Sequence, residues 1–186
     1  TEDLLYAQAT ATTAGQTPGK VQFAFDHLLS KVKFQFVNGS TNPNNKIVVK
    51  NIKMEVPGQG DITLNAQDNY TWENLANTAT LEFGHMENGA QVEAGQTGEC
   101  DYERLTLPAE AAQTYKVTFE TELWMGTVRA TTATKTTVLT GIKLEPGKAY
   151  HMCPYLKDGE HVVYGKSVPL AVYGLPVVVT AENPEK

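Results

Sequence analysis

The sequence predicts an all-β fold: an antiparallel β-sandwich with long loops and at most one or two short helical turns. Apolar and polar residues alternate in many short runs, as in strands whose successive side chains point to opposite faces. Clusters of Gly, Pro and Asn separate these runs, and no stretch keeps the 3.6-residue period of an amphipathic helix. Roughly nine to eleven runs of this kind are typical of a sandwich or a barrel.

Composition limits the classes of protein that this chain can belong to. The 186 residues include 15 Lys and Arg against 21 Asp and Glu, a formal net charge of −6. This balance argues against nucleic acid as a partner, because phosphate binding needs clustered cations. A chain of this size can bury a substantial core. We expect residues 1–19 to form a linker or edge segment, residues 20–180 a single sandwich domain, and residues 181–186 a tail.

Residues 21–37 contain two alternating runs that we expect to face one core between two sheets. Between them, residues 26–31 are too long for a two-residue hairpin and include two leucines, which predicts a short apolar turn. The apolar residues of the first run are Val21, Phe23 and Phe25, and those of the second run are Val32, Phe34 and Phe36.

The central part of the chain mixes strand and turn signals. Residues 46–56 alternate but change phase near Lys50 and Asn51, which predicts a β-bulge. The sequence Pro-Gly-Gln-Gly-Asp at residues 57–61 predicts a turn. Residues 65–77 predict an irregular excursion or one helical turn.

Three later stretches complete the predicted sheets. Residues 115–120 show the cleanest alternation in the chain, and it continues to Trp124. Residues 127–144 are rich in threonine, which is β-branched, and predict a long edge strand that faces solvent. Residues 149–156 follow a Pro-Gly turn and predict another strand.

The tail, residues 167–181, alternates apolar residues around two prolines. Proline cannot donate a hydrogen bond to a sheet, so such a strand belongs at an edge. An edge strand near a terminus can complete its own sheet or add to that of a neighbour. The residues expected to form this strand-exchange tail are Val168, Leu170, Val172, Val177 and Val179.

Three short segments occur in a fixed order along the chain. They are D-L-L-Y-A at residues 3–7, F-A-F-D-H-L-L-S-K-V-K-F-Q-F at residues 23–36, and L-E-P-G-K-A-Y at residues 144–150. Together they resemble segments of the fimbrillin-like surface proteins of the Bacteroidales. The resemblance covers both ends of the chain.

The resemblance implies a transthyretin-like sandwich and a non-enzymatic surface subunit or adhesin-type structural protein that assembles by β-strand exchange. It implies export to the cell surface as part of a fimbrium, from a precursor with a lipid anchor in the outer membrane. Other fimbrial subunits, surface proteins and host ligands are the implied partners. It also implies that the chain is the carboxy-terminal part of a longer precursor, and that His27 is a structural residue.

The sequence predicts no catalytic, cofactor or metal site. It contains no G-x-S-x-G, phosphate-binding loop or dinucleotide fingerprint. His151 and Cys153 share a strand face, but a structural zinc site takes four ligands. Sequence alone does not decide whether Cys100 and Cys153 pair. We interpret the acidic residues with a spacing of two as solvated sheet faces: Glu99, Asp101, Glu103, Glu120 and Glu122.

The alternative function is a carbohydrate-binding β-sandwich module of a surface glycan-uptake system. Aromatic side chains could form a stacking platform for sugars, and Tyr70 and Trp72 in the loop-like residues 65–77 are its candidates. Trp124 and Tyr155 are further aromatics, although Trp124 also fits a core position. Under this alternative, Trp72→Ala abolishes glycan binding without unfolding the protein, whereas a subunit without a sugar site gives a blank glycan screen.

Overall fold

The computed structural model describes residues 2–8, 25–65, 70–157 and 179–180. Within these ranges the protein is all-β, as predicted, and its only helical element is a 3-10 turn at Glu87–Gly89. The strands are β1 Leu5–Tyr6, β2 Asp26–His27, β3 Ser30–Gly39, β4 Asn45–Leu64, β5 Tyr70–Gly84, β6 Thr97–Glu99, β7 Arg104–Thr106, β8 Gln113–Met125, β9 Val128–Ile142, β10 Ala149–Met152, β11 Tyr155–Lys157 and β12 Val179–Thr180.

Two main sheets and a small ribbon make up the described fold. The first sheet is antiparallel, with four strands in the order β5-β4-β8-β9. In the second sheet β3 is central: β6 and β7 pair antiparallel with one edge of β3, whereas β10 and β11 pair parallel with the other. Strand β12 pairs antiparallel with β10, and β1 pairs with β2. The fold is thus antiparallel except where β3 meets β10 and β11.

The core lies between the two main sheets. Strand β3 alternates strictly, and Val32, Phe34 and Phe36 are each 0% exposed. The ring of Phe34 meets that of Phe83 from the first sheet at a centroid distance of 4.8 Å, and Phe36 meets Phe119 at 5.0 Å. The prediction that this run faces a core between two sheets is therefore confirmed.

The prediction for the preceding run is wrong at Phe25, which is 61% exposed. Val21 and Phe23 lie outside the described residues. The connector is also not a simple turn, because Asp26 and His27 form β2 and pair with β1. This two-stranded ribbon is separate from both main sheets, so alternation there does not direct Phe25 into the core.

The predicted bulge in β4 is confirmed. Asn51 has a φ of 51°, and the pairing of β4 with β8 shifts register between Lys50 and Lys53. Asparagine tolerates the left-handed region better than most residues. The bulge restores Ile52 and Met54 to the core side, where both are 0% exposed.

The turn predicted at residues 57–61 is wrong, because β4 continues through it to Leu64 and pairs with β5. Glycine serves close packing here. A Cβ atom on Gly60 would lie 2.7 Å from Leu75 Cδ2 and 3.4 Å from Trp72 Cε3. Pro57 lies beyond the point where β4 separates from β8, a position where a missing N–H is tolerated.

The helical turn predicted within residues 65–77 is also wrong for residues 70–77, which belong to β5. Asn74 and Asn77 have φ values of 52° and 55°, and the pairing of β5 with β4 shifts register between Glu73 and Ala76. The three-residue spacing of Trp72 and Leu75 reflects this shift and not a helical turn. Residues 66–69 lie outside the description.

The threonine-rich stretch forms β9, which pairs only with β8 among the described strands. The prediction of a long edge strand is confirmed, and most of its outward-facing side chains are exposed. Lys135 lies in the middle of this strand and is half-buried. A charged side chain on the inner side of an edge strand is one device by which proteins discourage further strand pairing.

The buried hydroxyl group of Tyr115 allows a test of how a polar group without a partner affects stability. Its side chain is buried, its hydroxyl has no hydrogen-bond partner among the described residues, and burial raises its pKa to about 12. Tyr115→Phe should therefore raise the free energy of unfolding by about 1 kcal/mol, measured by urea denaturation.

Tyr150 is the matched control, because its hydroxyl accepts a hydrogen bond from the Glu145 N–H at 2.8 Å. Tyr150→Phe should destabilise the protein. A loss of stability in Tyr115→Phe would mean that its hydroxyl is hydrogen-bonded in solution.

Candidate functional site

Two of the three motif segments pair with each other. Strands β1 and β2 come from residues 3–7 and 23–36, respectively. The Leu28 N–H donates to the Leu4 carbonyl at 2.9 Å, and Nδ1 of His27 contacts the Asp3 carboxylate. This contact supports a structural role for His27.

The third motif segment joins the same place. The Gly147 N–H donates to the Leu29 carbonyl at 2.8 Å, and the Ser30 hydroxyl donates to the Glu145 carbonyl at 2.7 Å. Gly147 has a φ of +67°, and a Cβ atom on it would lie 3.3 Å from the His27 carbonyl oxygen. We call residues 3–7, 26–31 and 144–150 the motif cluster. Its contacts are mostly backbone hydrogen bonds, so the order of the motifs along the chain did not predict that they meet.

Trp72 fastens the motif cluster to the first sheet. Its side chain is buried, and its indole N–H donates to the Leu28 carbonyl at 3.1 Å. Tyr70 is half-buried, and burial raises its pKa. The predicted sugar platform requires an exposed indole, whereas the Trp72 side chain is 5% exposed.

The second sheet carries the tail at its edge. In β12, Val179 pairs with Tyr150 and Thr180 pairs with Ala149. Val179 is thus the one predicted tail residue whose backbone is described. The others lie outside the described residues: Val168, Leu170, Val172 and Val177.

The first sheet contains an open wedge between two of its strands. Pairing of β4 with β8 stops at Met54 and Val117, and β4 then continues with β5 alone. A volume of about 430 Å³ lies between the diverging strands. Nζ of Lys116 lies 2.6 Å from Oε1 of Glu55 in this wedge. Its other lining residues include Pro57, Leu75, Thr78, Thr114 and Val138.

The acidic residues on the second sheet belong to polar networks. Lys33 contacts the Glu99 carboxylate, which also accepts a bond from the Gln35 amide at 2.8 Å. The hydrogen bond from Lys33 holds the pKa of Glu99 below its usual range. Oε1 of Glu103 lies 3.4 Å from Nζ of Lys31. Asp101 instead accepts backbone hydrogen bonds from His85 and Asn88. Glu99 and Glu103 are exposed, as predicted for a solvated sheet face, whereas that prediction is wrong for Glu122 on β8, which is 9% exposed and ion-paired with Lys50.

The two cysteines are free thiols on opposite edges of β3. Cys100 accepts a hydrogen bond from the Phe34 N–H at 3.1 Å, whereas Cys153 lies 3.7 Å from Oε1 of Gln35. Burial raises the pKa of both thiols, which reduces their reactivity. Within the described ranges, no three or more His, Cys, Asp and Glu side chains are grouped so that they could hold a metal. No described helix is long and apolar enough to cross a membrane.

The two main sheets and the backbone-built motif cluster define an all-β protein. The fimbrillin-like family matches this chain over residues 1–166, so the chain belongs to that family. A search of curated proteins found no match.

Two crystal structures from Bacteroides align with most of this chain. One, from Bacteroides fragilis and described as a cell adhesion protein, is 13% identical with a TM-score of 0.45, and the match covers 74% of this chain and 44% of that one. The other, a fimbrial protein from Bacteroides vulgatus, is 12% identical with a TM-score of 0.41, and the match covers 76% of this chain and 54% of that one. The chain therefore spans about half the length of these two proteins.

Proposed function

We propose that this protein is a non-enzymatic fimbrillin-like subunit or adhesin-type structural protein that assembles at the cell surface by β-strand exchange. The carrying observation is the pairing of β12, from the end of the chain, with the outer edge of β10. Membership in the fimbrillin-like family supports a fimbrial role, with other subunits as partners. Export to the outer membrane with a lipid anchor, and a transthyretin-like arrangement of the sandwich, belong to the same proposal.

The β10–β12 contact suits exchange because it is made by backbone pairing. Among the described residues, Val179 and Thr180 pair antiparallel with Tyr150 and Ala149. An identical tail from a neighbouring subunit would make the same bonds with β10, and strand addition of this kind gives affinity through the main chain.

Other sheet edges carry features that oppose pairing. Lys135 lies on the inner side of β9, and β5 is irregular at Asn74 and Asn77. The edge of β3 opposite β10 is covered by two short strands, β6 and β7. Inward charges, bulges and short edge strands all discourage uncontrolled association. They therefore favour β10 as the acceptor edge. The wedge between β4 and β8 is the alternative acceptor, because the two strands separate there.

Truncation tests this proposal. A chain that ends at Tyr164 lacks β12 and should self-associate or aggregate, because the β10 edge is then unpaired. The matched control ends at Thr180 and keeps β12. Size-exclusion chromatography with light scattering and thermal denaturation measure the outcome.

An added peptide of residues 165–180 should bind the shorter chain and return it to the monomeric state. The proposal fails if the shorter chain stays monomeric with an unchanged melting temperature and does not bind the peptide. If substitutions of residues that line the wedge abolished peptide binding, while substitutions in β10 did not, the wedge would be the acceptor site for the tail.

A further inference from the structure

Trp124 lies on the outer face of the first sheet, unlike Trp72. Alternation along β8 sends Phe119 and Leu123 towards the core, and Trp124 falls on the opposite side. It is half-buried, and its register partners are Lys46 on β4 and Arg129 on β9. An aromatic side chain is therefore placed between two cationic ones, at a point where the β8–β9 pairing shifts register.

Glu122 fixes the polar groups around this tryptophan. The Trp124 indole N–H donates to Oε2 of Glu122 at 3.0 Å, and Nζ of Lys50 lies 2.9 Å from Oε1. Nη1 of Arg129 is 3.6 Å from the same Oε1, a looser contact. The Glu122 side chain is 11% exposed, whereas that of Arg129 is 56% exposed. The indole N–H, the Lys50 ammonium and the Glu122 carboxylate are thus held in place, while the Arg129 guanidinium remains open to solvent.

The neighbouring hairpin tip holds the end of β8 in place. Met125 and Val128 pair across the β8–β9 turn and are 53% and 65% exposed. The Gly126 N–H donates to the Asn44 carbonyl at 2.8 Å, so the tip is attached to the preceding turn. Met125 follows Trp124 and therefore points to the other face of the sheet, so the tip fixes the end of β8 without adding apolar surface beside the indole.

We propose that Trp124, Glu122 and Arg129 form a binding site for a neutral glycan. The apolar C–H face of a sugar ring would stack on the indole, since an aromatic ring offers a large, rigid apolar surface. Sugar hydroxyl groups can accept hydrogen bonds from the exposed Arg129 guanidinium, whereas the enclosed Glu122 carboxylate holds the indole and the guanidinium in place. The site is on a different sheet from β10 and does not depend on strand exchange.

Charge favours a neutral glycan over an acidic one. Each cation near Trp124 has a carboxylate beside it. Lys46 lies 2.8 Å from Glu93. Lys50 and Arg129 both contact Glu122, and Lys50 is also opposite Glu120 in the β4–β8 pairing. The patch therefore has no excess positive charge. The chain as a whole carries −6, which repels an anionic ligand at long range.

Calorimetric titration of the whole chain tests the site. The probes are soluble neutral oligosaccharides of glucose, galactose, mannose and N-acetylglucosamine, with a sialylated oligosaccharide as the acidic comparison. At least one neutral probe should bind with a millimolar or lower Kd. Trp124→Ala should raise that Kd by about tenfold or more, the change expected when about 1.4 kcal/mol of binding energy is lost.

A matched variant and a second readout separate binding from folding. Thr118→Ala, on the outer face of the same strand, should leave the Kd unchanged. In Trp72→Phe, Trp124 is the only indole, and the neutral probe should change its fluorescence saturably. No binding of any neutral probe, equal binding by Trp124→Ala, or preference for the acidic probe would each overturn the assignment. None of these outcomes bears on the association of truncated chains.

Discussion

Phe34→Ala is expected to lower the free energy of unfolding by about 3–5 kcal/mol, because it removes a fully buried aromatic ring and leaves a cavity. Phe34 is 0% exposed and meets the rings of Phe36 and Phe83 at centroid distances of 6.0 and 4.8 Å. It therefore links neighbouring positions of β3 to the opposite sheet. Urea denaturation followed by circular dichroism measures the loss.

Phe25→Ala is the matched control for this prediction. Phe25 belongs to the preceding alternating run, yet it is 61% exposed. Its replacement should change stability by no more than about 0.5 kcal/mol, as is usual for surface positions. A loss below about 1 kcal/mol for Phe34→Ala, or equal losses for both variants, would show that β3 does not face the core as described.

The local pattern predicted the inward face of a strand where that strand lies in a main sheet. In β3 and in the first part of β8, alternation identified the core residues because burial on one side requires a period of two. The phase change near Asn51 likewise predicted a bulge, since one extra residue reverses the face. Phe25 shows the limit of this reasoning, because alternation does not say which ribbon a strand joins.

The proline and glycine residues of β4 led to the wrong prediction of a turn. Residues 57–61 have a typical turn composition, but Gly60 is required where β4 packs closely against Leu75 and Trp72. The same small residue serves a turn or a close approach, and only the partner strand distinguishes them. The parallel pairing of β3 with β10 was equally hidden, because it joins residues 31–34 to residues 149–152. Local periodicity carries no information about so distant a partner.

The tryptophans were predicted least well, because their roles depend on which side of a sheet each one occupies. The sequence predicts a loop-like setting for Trp72, but the residue lies in β5 and is buried. Trp124 was left between core and platform, and its contact with Glu122 places it on the outer face. The sequence thus identified both tryptophans as candidates for a sugar platform. Which of them is enclosed and which lies on the outer face depends on strand pairing, which the sequence does not show.

Trp72→Ala is expected to lower the free energy of unfolding by about 3–5 kcal/mol, the usual range for a buried tryptophan. Two effects combine. The indole is 5% exposed, so its removal leaves a cavity beside Gly60 and Leu75, and the Leu28 carbonyl loses its hydrogen bond from Nε1. Because Leu28 lies in the motif cluster, the loss should also loosen the attachment of β1 and β2 to the first sheet. Amide hydrogen exchange would detect this as faster exchange in residues 26–31 than in β8.

Comparison with two further variants separates these effects and tests the sugar-platform alternative. Trp72→Phe keeps an aromatic ring but cannot donate to Leu28, so its loss should be smaller than that of Trp72→Ala and include about 1–3 kcal/mol for the unpaired carbonyl. Trp124→Ala should cost clearly less than Trp72→Ala, because Trp124 is half-buried on the outer face. If Trp72→Ala instead kept its stability and lost glycan binding, Trp72 would be the sugar platform after all, and its enclosed position beneath the motif cluster would be wrong.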